Sequence, residues 1–176
     1  MLETSRLLIR ELVAEDADIV EELAGDYEIA KTTLSIPHPY PKGGAIGWIN
    51  SLKESEQANR QVTFAIINKE SNSLIGVIGF NLSMSFSRGE INYWIGKPYW
   101  GKGYATEAAR EMFRYGFNQL GLNRIYAASF TSNPGSWKVM EKLGMKHEGT
   151  FKQHVKKGDE YIDLTYYGMV KEDYVI

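Results

Sequence analysis

The sequence has no cysteine, no long apolar run and no excess of basic residues. Without cysteine the chain has no disulfide, no thiolate metal ligand and no cysteine nucleophile, so its chemistry must use other groups. No apolar stretch approaches the ~20 residues that a membrane helix needs. Glu3 and Arg6 interrupt the short apolar start, which is therefore not typical of a secretory signal. We expect a cytoplasmic protein that does not bind a membrane.

Acidic and basic residues are nearly balanced in number. The chain has 20 Lys and Arg against 22 Asp and Glu, a formal net charge of −2, so it lacks the global basic field of a nucleic-acid-binding protein. We expect no direct binding to nucleic acid. With 176 residues, 43% of them hydrophobic, the chain is long enough to bury a core as one domain spanning residues 1–176.

The hydrophobic pattern predicts a run of strands with helices inserted between the later ones. Alternating apolar residues predict strands at 7–12, 62–67, 74–82, 90–95, 124–130, 145–151 and 160–170. Apolar spacings of three and four residues predict helices at about 15–23, 45–57, 105–120 and 133–144. This order is typical of an α+β (mixed α/β) domain.

The segment 99–108 places a glycine-bracketed turn between the strand at 90–95 and an amphipathic helix. Gly101 and Gly103 allow the backbone to approach a ligand closely, and the free N–H groups of the helix start attract negative charge. The junction therefore predicts a phosphate site, although a lone glycine pair is also compatible with a plain structural turn.

Two other phosphate motifs match this turn incompletely. The spacing from Gly96 fits a P-loop, but Gly103 stands where a Ser or Thr hydroxyl would hold magnesium. The dinucleotide fingerprint fits Gly101 and Gly103, but Thr106 stands where a third small residue allows close helix packing.

Two segments together resemble the GNAT superfamily of N-acetyltransferases. The positions from Trp100 to Ala105 are similar to its acetyl-CoA loop of Gln or Arg, two free positions, Gly, one free position, and Gly or Ala. Trp100 departs from the usual Gln or Arg. The segment 133–145 is similar to the family's Asn-x-x-Ser helix that ends in Glu-Lys-x-Gly-Phe. The first segment resembles in particular the branch that acetylates the amino termini of ribosomal proteins.

The resemblance implies a mostly antiparallel sheet of about six to seven strands, splayed near residues 90–95 and flanked by about four helices. It implies acetyl-CoA in the gap as the acetyl donor, no metal, and a backbone N–H near Ile95 that polarises the thioester carbonyl. Asn133 is expected to cap its helix and to hydrogen-bond the pantetheine arm. The donor-binding residues implied in this way are Trp94, Ile95, Gly101, Lys102, Gly103, Tyr104, Ala105, Thr106, Asn133 and Ser136.

Acetyl transfer to an amine needs a neutral nucleophile, a stabilised oxyanion and a proton for the leaving thiolate. Glu90 is the candidate general base, because its strand borders the expected gap and many relatives place a glutamate there; His154 is the rival. Many relatives use a tyrosine as the acid where this chain has Met140, which cannot donate a proton. The resemblance therefore assigns that role to Ser136.

Acceptor selection is expected to involve His38 and Tyr40 in the Pro-rich loop and Trp48 in the following helix. A polycationic acceptor would favour several unpaired carboxylates at the cleft, for which Asp26 and Glu28 are candidates beside Glu90.

The leading hypothesis is transfer of an acetyl group to the α-amine of a protein amino terminus. An α-amine of pKa ~8 costs only about 1.4 kcal/mol to deprotonate at pH 7, against about 4.6 kcal/mol for a lysine, so a strong base is less necessary. The alternatives are acetylation of a small amine (polyamine, amino acid or aminoglycoside) and a non-catalytic acyl-CoA-binding module. By analogy with many relatives we also expect a homodimer.

Overall fold

One eight-stranded sheet forms the centre of the protein, which we describe from a computed structural model covering residues 1–175. The strands are β1 (Leu2–Glu3), β2 (Leu7–Glu11), β3 (Gln61–Asn68), β4 (Ser73–Ser83), β5 (Arg88–Ile95), β6 (Arg124–Phe130), β7 (Lys146–Lys157) and β8 (Glu160–Val170). Their order across the sheet is β1-β2-β3-β4-β5-β6-β8-β7.

Within residues 1–175, five α-helices flank this sheet. They are α1 (Ala17–Ala24), α2 (Tyr27–Ala30), α3 (Gly44–Gln57), α4 (Tyr104–Asn118) and α5 (Pro134–Lys142). None of the helices within residues 1–175 is long and apolar enough to cross a membrane.

The predicted fold class is confirmed, with two small elements added. The eighth strand, β1, has two residues and the additional helix, α2, has four, and neither is long enough to show a periodic pattern. The strand predicted to end at 151 continues to Lys157. The alternation is lost there because Gln153 adopts φ 50° and the pairing with β8 shifts between Phe151 and Val155.

The sheet is antiparallel except at one place, between β5 and β6. These two strands are parallel and pair over only three residues of each, from Arg88 with Arg124 to Glu90 with Tyr126. Beyond Glu90 they separate. The sheet therefore opens at its centre, between two strands that each remain paired on the other side.

Helices cover the two faces of the sheet unequally. On one face α4 and α5 bury a large cluster that includes Met112, Ile125 and Met140. On the other face α1 and α3 bury a smaller cluster with Val20 and Ile49 over β3 and β4. On this second face the long helices lie over the first half of the sheet. Trp94 of β5 still packs against their cluster, while other side chains of β5, β6 and β8 line a cavity.

Candidate active site

A cavity of about 1140 Å³ occupies the gap between β5 and β6. Its lining comes from both separated strands, the first turn of α4, α5, and the loop before α3. The opening of the sheet thus gathers segments that are distant in sequence around one space.

The edge of β5 presents free backbone groups to this cavity. Gly96 N–H donates to Ile75 O at 2.8 Å, and in an antiparallel ladder alternate residues bond the same neighbour. The backbone groups of Trp94 therefore point to β4, whereas those of Tyr93 and Ile95 point to the gap. Of these, the Ile95 carbonyl is occupied by the Trp100 indole N–H, and the Ile95 N–H is free within the described part of the chain. Of the two β5 residues predicted to bind the donor, Ile95 has an N–H that points to the gap, and Trp94 lines the cavity.

The glycine turn places six unpaired N–H groups at the other side of the cavity. Gly101 and Gly103 have φ of 75° and 78°, in the left-handed region that favours glycine. Within residues 1–175, no N–H from Gly101 to Thr106 donates a hydrogen bond to the protein, and the last three of them begin α4. The turn and the helix start together supply the kind of donors that a diphosphate site requires.

A hydrogen-bonded ion pair holds this turn against the start of the chain. The Arg6 guanidinium contacts the Glu107 carboxylate at 2.6 Å and donates to Lys102 O at 3.0 Å, and Thr4 donates to Glu107 at 2.6 Å. Burial raises the pKa of Glu107, but the hydrogen bonds from Thr4 and Arg6 outweigh it and hold the pKa below its usual value. Arg6 thus neutralises a carboxylate that would otherwise repel a bound phosphate.

Lys102 contributes its backbone to the turn but not its side chain to the cavity. The Lys102 ammonium lies 5.8 Å from the centre of the Tyr99 ring, and the residue is not among those that line the gap. Its predicted role in donor binding stays a prediction.

Trp100, the departure from the family's Gln or Arg, has a clear contact in the structure. Its indole N–H donates to Ile95 O at 2.6 Å, which fixes the end of β5 relative to the glycine turn. The sequence alone gave no reason to expect this bond.

Asn133 stands at the start of α5, but the expectation that its side chain caps the helix is wrong. No side-chain cap bond forms, because the residue has φ −110° and ψ 76° and its carbonyl accepts from Ser136 N–H instead. The Asn133 amide lines the cavity and stays available to a ligand there.

Ser136 lies one turn into α5 and meets Tyr93 of β5 across the cavity. The Tyr93 hydroxyl donates to Ser136 O at 3.3 Å and lies 3.4 Å from Ser136 Oγ. Burial raises the pKa of Tyr93 to about 12, although the Ser136 contact opposes this, so the phenol is neutral at pH 7. Met140 is only 2% exposed and packs in the core. Sequence analysis did not single out Tyr93 as a partner of Ser136.

Glu90 stands at the last residue pair before β5 and β6 separate, and its side chain lines the cavity. Burial raises the pKa of this carboxyl, and the Asn81 side chain, opposite on β4, partly offsets the rise. A carboxyl with a raised pKa is a better proton acceptor once ionised, as a general base requires.

His154, the rival base, lies at the rim of the same cavity and is exposed. Its ring packs against Phe151 and Tyr166, with centroid distances of 5.1 and 6.1 Å. The structure therefore brings both candidate bases to one space, with Glu90 at the point where β5 and β6 separate and His154 in an exposed position on β7.

The three predicted acceptor residues are not all brought together. Tyr40 and Trp48 line the cavity, but His38 does not; it packs edge-on against Tyr27 at 5.1 Å. Asp26 accepts from Glu28 N–H at the start of α2, and Glu28 pairs with Lys31 at 2.7 Å. Neither of these carboxylates joins Glu90 in the cavity.

A parted sheet with a diphosphate site on one side of the gap and a half-buried carboxylate on the other is the arrangement of an acyl-CoA-dependent transferase. Within residues 1–175 no three His, Asp or Glu side chains converge as a metal site.

Comparison with known proteins identifies the family. Residues 6–146 match the model of the acetyltransferase (GNAT) domain, so the chain belongs to the GNAT family and is an acetyl-CoA-dependent N-acetyltransferase. The uncharacterized N-acetyltransferase p20 of Bacillus licheniformis is 36% identical over 176 residues, covering 98% of this chain and 97% of that protein.

Two further relatives are similar over different spans. The crystal structure of a GNAT-family acetyltransferase from Bacillus anthracis has a TM-score of 0.87 and 31% identity, and the match covers 97% of this chain and 98% of that one. YdaF of Bacillus subtilis (strain 168), a proposed ribosomal N-acetyltransferase, is 35% identical over 103 residues, which are 58% of this chain and 56% of that protein.

Proposed function

We propose that this enzyme acetylates an α-amine, most simply the N-terminal α-amine of a protein or peptide. The observation that carries the proposal is the charge of the cavity lining. Among the described residues Glu90 is the only carboxylate there, and the acceptor side otherwise presents aromatic and neutral polar side chains such as Trp48, Gln61 and Asn92. Such a site suits an acceptor with one positive charge.

The same lining disfavours a polyamine acceptor. A second and a third ammonium would need carboxylates of their own, but Asp26 and Glu28 are bonded elsewhere. The cationic residues Lys138 and Lys142 also line the cavity, on α5. An aminoglycoside, with several ammonium groups, meets the same difficulty.

The chain's own groups can bind the donor along a continuous path. The N–H groups from Gly101 to Thr106 hold the diphosphate, and Asn133 and the free edge of β5 hold the amide-bearing arm. Acetyl-CoA supplies the activated acetyl group. The N–H of Tyr93 or Ile95 is placed to donate to the thioester oxygen, where negative charge develops.

Glu90 and Ser136 have complementary tasks in this proposal. Glu90 accepts a proton from the α-ammonium, directly or through water, so that the amine can attack the carbonyl carbon. Ser136 donates a hydrogen bond to the departing sulfur, and Tyr93 holds the Ser136 side chain in position. An α-amine of pKa ~8 needs little help at pH 7, which fits a base of modest strength.

A panel of acceptors tests the proposal by release of free thiol and by mass spectrometry of the product. We expect peptides with a free amino terminus to be acetylated there, and spermidine and a peptide with a blocked terminus and a free lysine to react at least about tenfold more slowly in kcat/KM. The similarity to YdaF supports including the amino-terminal peptides of ribosomal proteins. A preference for spermidine would contradict the proposal.

A further inference from the structure

Arg88 lies on the same side of β5 as Glu90, on the face that α1 and α3 leave uncovered. The two residues are separated by one position, so their Cα atoms stand about 7 Å apart along the strand. Arg88 pairs across the sheet with Arg124, at the end of the short stretch that joins β5 to β6. A basic side chain thus lies next to the proposed general base on the same face of β5, just beyond the cavity lining.

Aromatic rings support the Arg88 guanidinium. It lies 5.1 Å from the centre of the Phe86 ring and 5.8 Å from that of Tyr126. Phe86 is 68% exposed, so this platform is open to a partner. The Tyr126 ring stacks on that of Tyr166 with 6.5 Å between ring centres, and Tyr166 lines the cavity. The aromatic contacts of Arg88 therefore continue into the cavity.

The two arginines at this position differ in their ionic partners. Arg124 forms a bidentate ion pair with Glu148. Arg88 forms no ion pair with any carboxylate of residues 1–175. An arginine that is oriented by aromatic rings but lacks an anion is well suited to bind one from a ligand.

We propose that Arg88 binds a carboxylate that the acceptor carries within about one residue of its reactive amine. The inference rests on the proposed function, since it requires the amine at Glu90. The carboxylate has two sources: the α-carboxylate of a free amino acid, or an acidic side chain at the second position of a peptide. In either case the Arg88 charge repels an acceptor with further cations, in agreement with the single carboxylate of the cavity.

Two matched pairs of acceptors separate these sources. The first is an amino acid and its amide; the second is a tripeptide amide with Glu at position two and the same peptide with Gln. Each is measured with the wild type, Arg88→Gln, Arg88→Lys and Lys53→Gln, the last removing an exposed charge on α3 away from the cavity. The ratio of kcat/KM between variant and wild type cancels differences in amine pKa, and thermal unfolding checks that each variant is folded.

We expect Arg88→Gln to lower kcat/KM about tenfold for the anionic member of at least one pair, with little change for its neutral partner. Arg88→Lys should retain most of the preference, and Lys53→Gln should resemble the wild type. The pair that responds identifies the source of the carboxylate. Equal losses for anionic and neutral acceptors would overturn the inference but leave the proposed function intact. A wild type that acetylates no α-amine would refute the proposed function, and the inference with it.

Discussion

The donor side and the acceptor side of the cavity are built from different kinds of groups. The donor side consists mainly of backbone: the N–H groups of the glycine turn and the free edge of β5. The acceptor side consists of side chains from β3, β5, β7, β8, α3 and the loop before α3. Backbone groups suit a donor common to a whole family, whereas side chains can change with the acceptor while the fold is kept.

The largest expected effect separates chemistry from donor binding. Glu90→Gln should lower kcat/KM for an α-amine acceptor by about 100-fold at pH 7, because the base is lost. The KM for acetyl-CoA should stay nearly constant. In the wild type, activity should rise with pH through the raised pKa of Glu90, since the carboxyl must be ionised to act as a base.

The loss caused by Glu90→Gln should shrink as the pH approaches 9, where an α-amine of pKa ~8 is already neutral. Steady-state kinetics from pH 5 to 9 checks both expectations. An unchanged pH profile in the variant would remove Glu90 from the mechanism and leave His154 as the candidate.

The second effect belongs to the donor side alone. Gly103→Ala adds a side chain at φ 78°, which costs about 1–2 kcal/mol and displaces the turn, so the KM for acetyl-CoA should rise about tenfold. Gly121→Ala is the matched control, because Gly121 has φ 69° and an added Cβ would meet no atom within 4 Å. This control should lower the unfolding temperature similarly and leave the KM for acetyl-CoA unchanged. A similar rise in the KM for acetyl-CoA in both variants would mean that general backbone strain, and not the glycine turn, causes the change.

The third effect lies at the boundary between the two sides. Ser136→Ala should lower kcat about tenfold with little change in acetyl-CoA affinity, and Tyr93→Phe should lower it about threefold, since it removes only the group that positions Ser136. In the double variant the losses should not multiply, because the two hydroxyls act as one unit. Stopped-flow kinetics measures kcat, and isothermal titration measures the affinity for coenzyme A. A weakened donor site would instead lower that affinity and leave kcat unchanged.

Sequence reasoning predicted the donor side better than the acceptor side, for a physical reason. A left-handed turn before a helix requires glycine at fixed spacing, so the pattern is local and readable at Gly101 and Gly103. The bonds that complete the site join distant positions: Arg6 and Glu107 are 101 residues apart, and Tyr93 and Ser136 are 43 apart. Such pairs depend on how helices pack against the sheet and against the start of the chain, which no local pattern records.

Local patterns also misled where backbone geometry decided the outcome. Asn133 is a favourable capping residue by type, yet its ψ of 76° keeps the side chain from the helix N–H groups. His38 occurs in the same Pro-rich loop as Tyr40, but the two side chains diverge, and only Tyr40 reaches the cavity.

Because β5 separates early from β6, the hydrogen exchange of its amides can be used to measure donor binding. Amides in the middle of a central strand are normally among the slowest to exchange. Here the N–H groups of Tyr93 and Ile95 lie in such a strand without a strand partner, so they should exchange much faster than those of their neighbours Asn92 and Trp94, which bond to β4. Added coenzyme A should slow these two amides selectively, which gives a measure of donor binding that needs no acceptor.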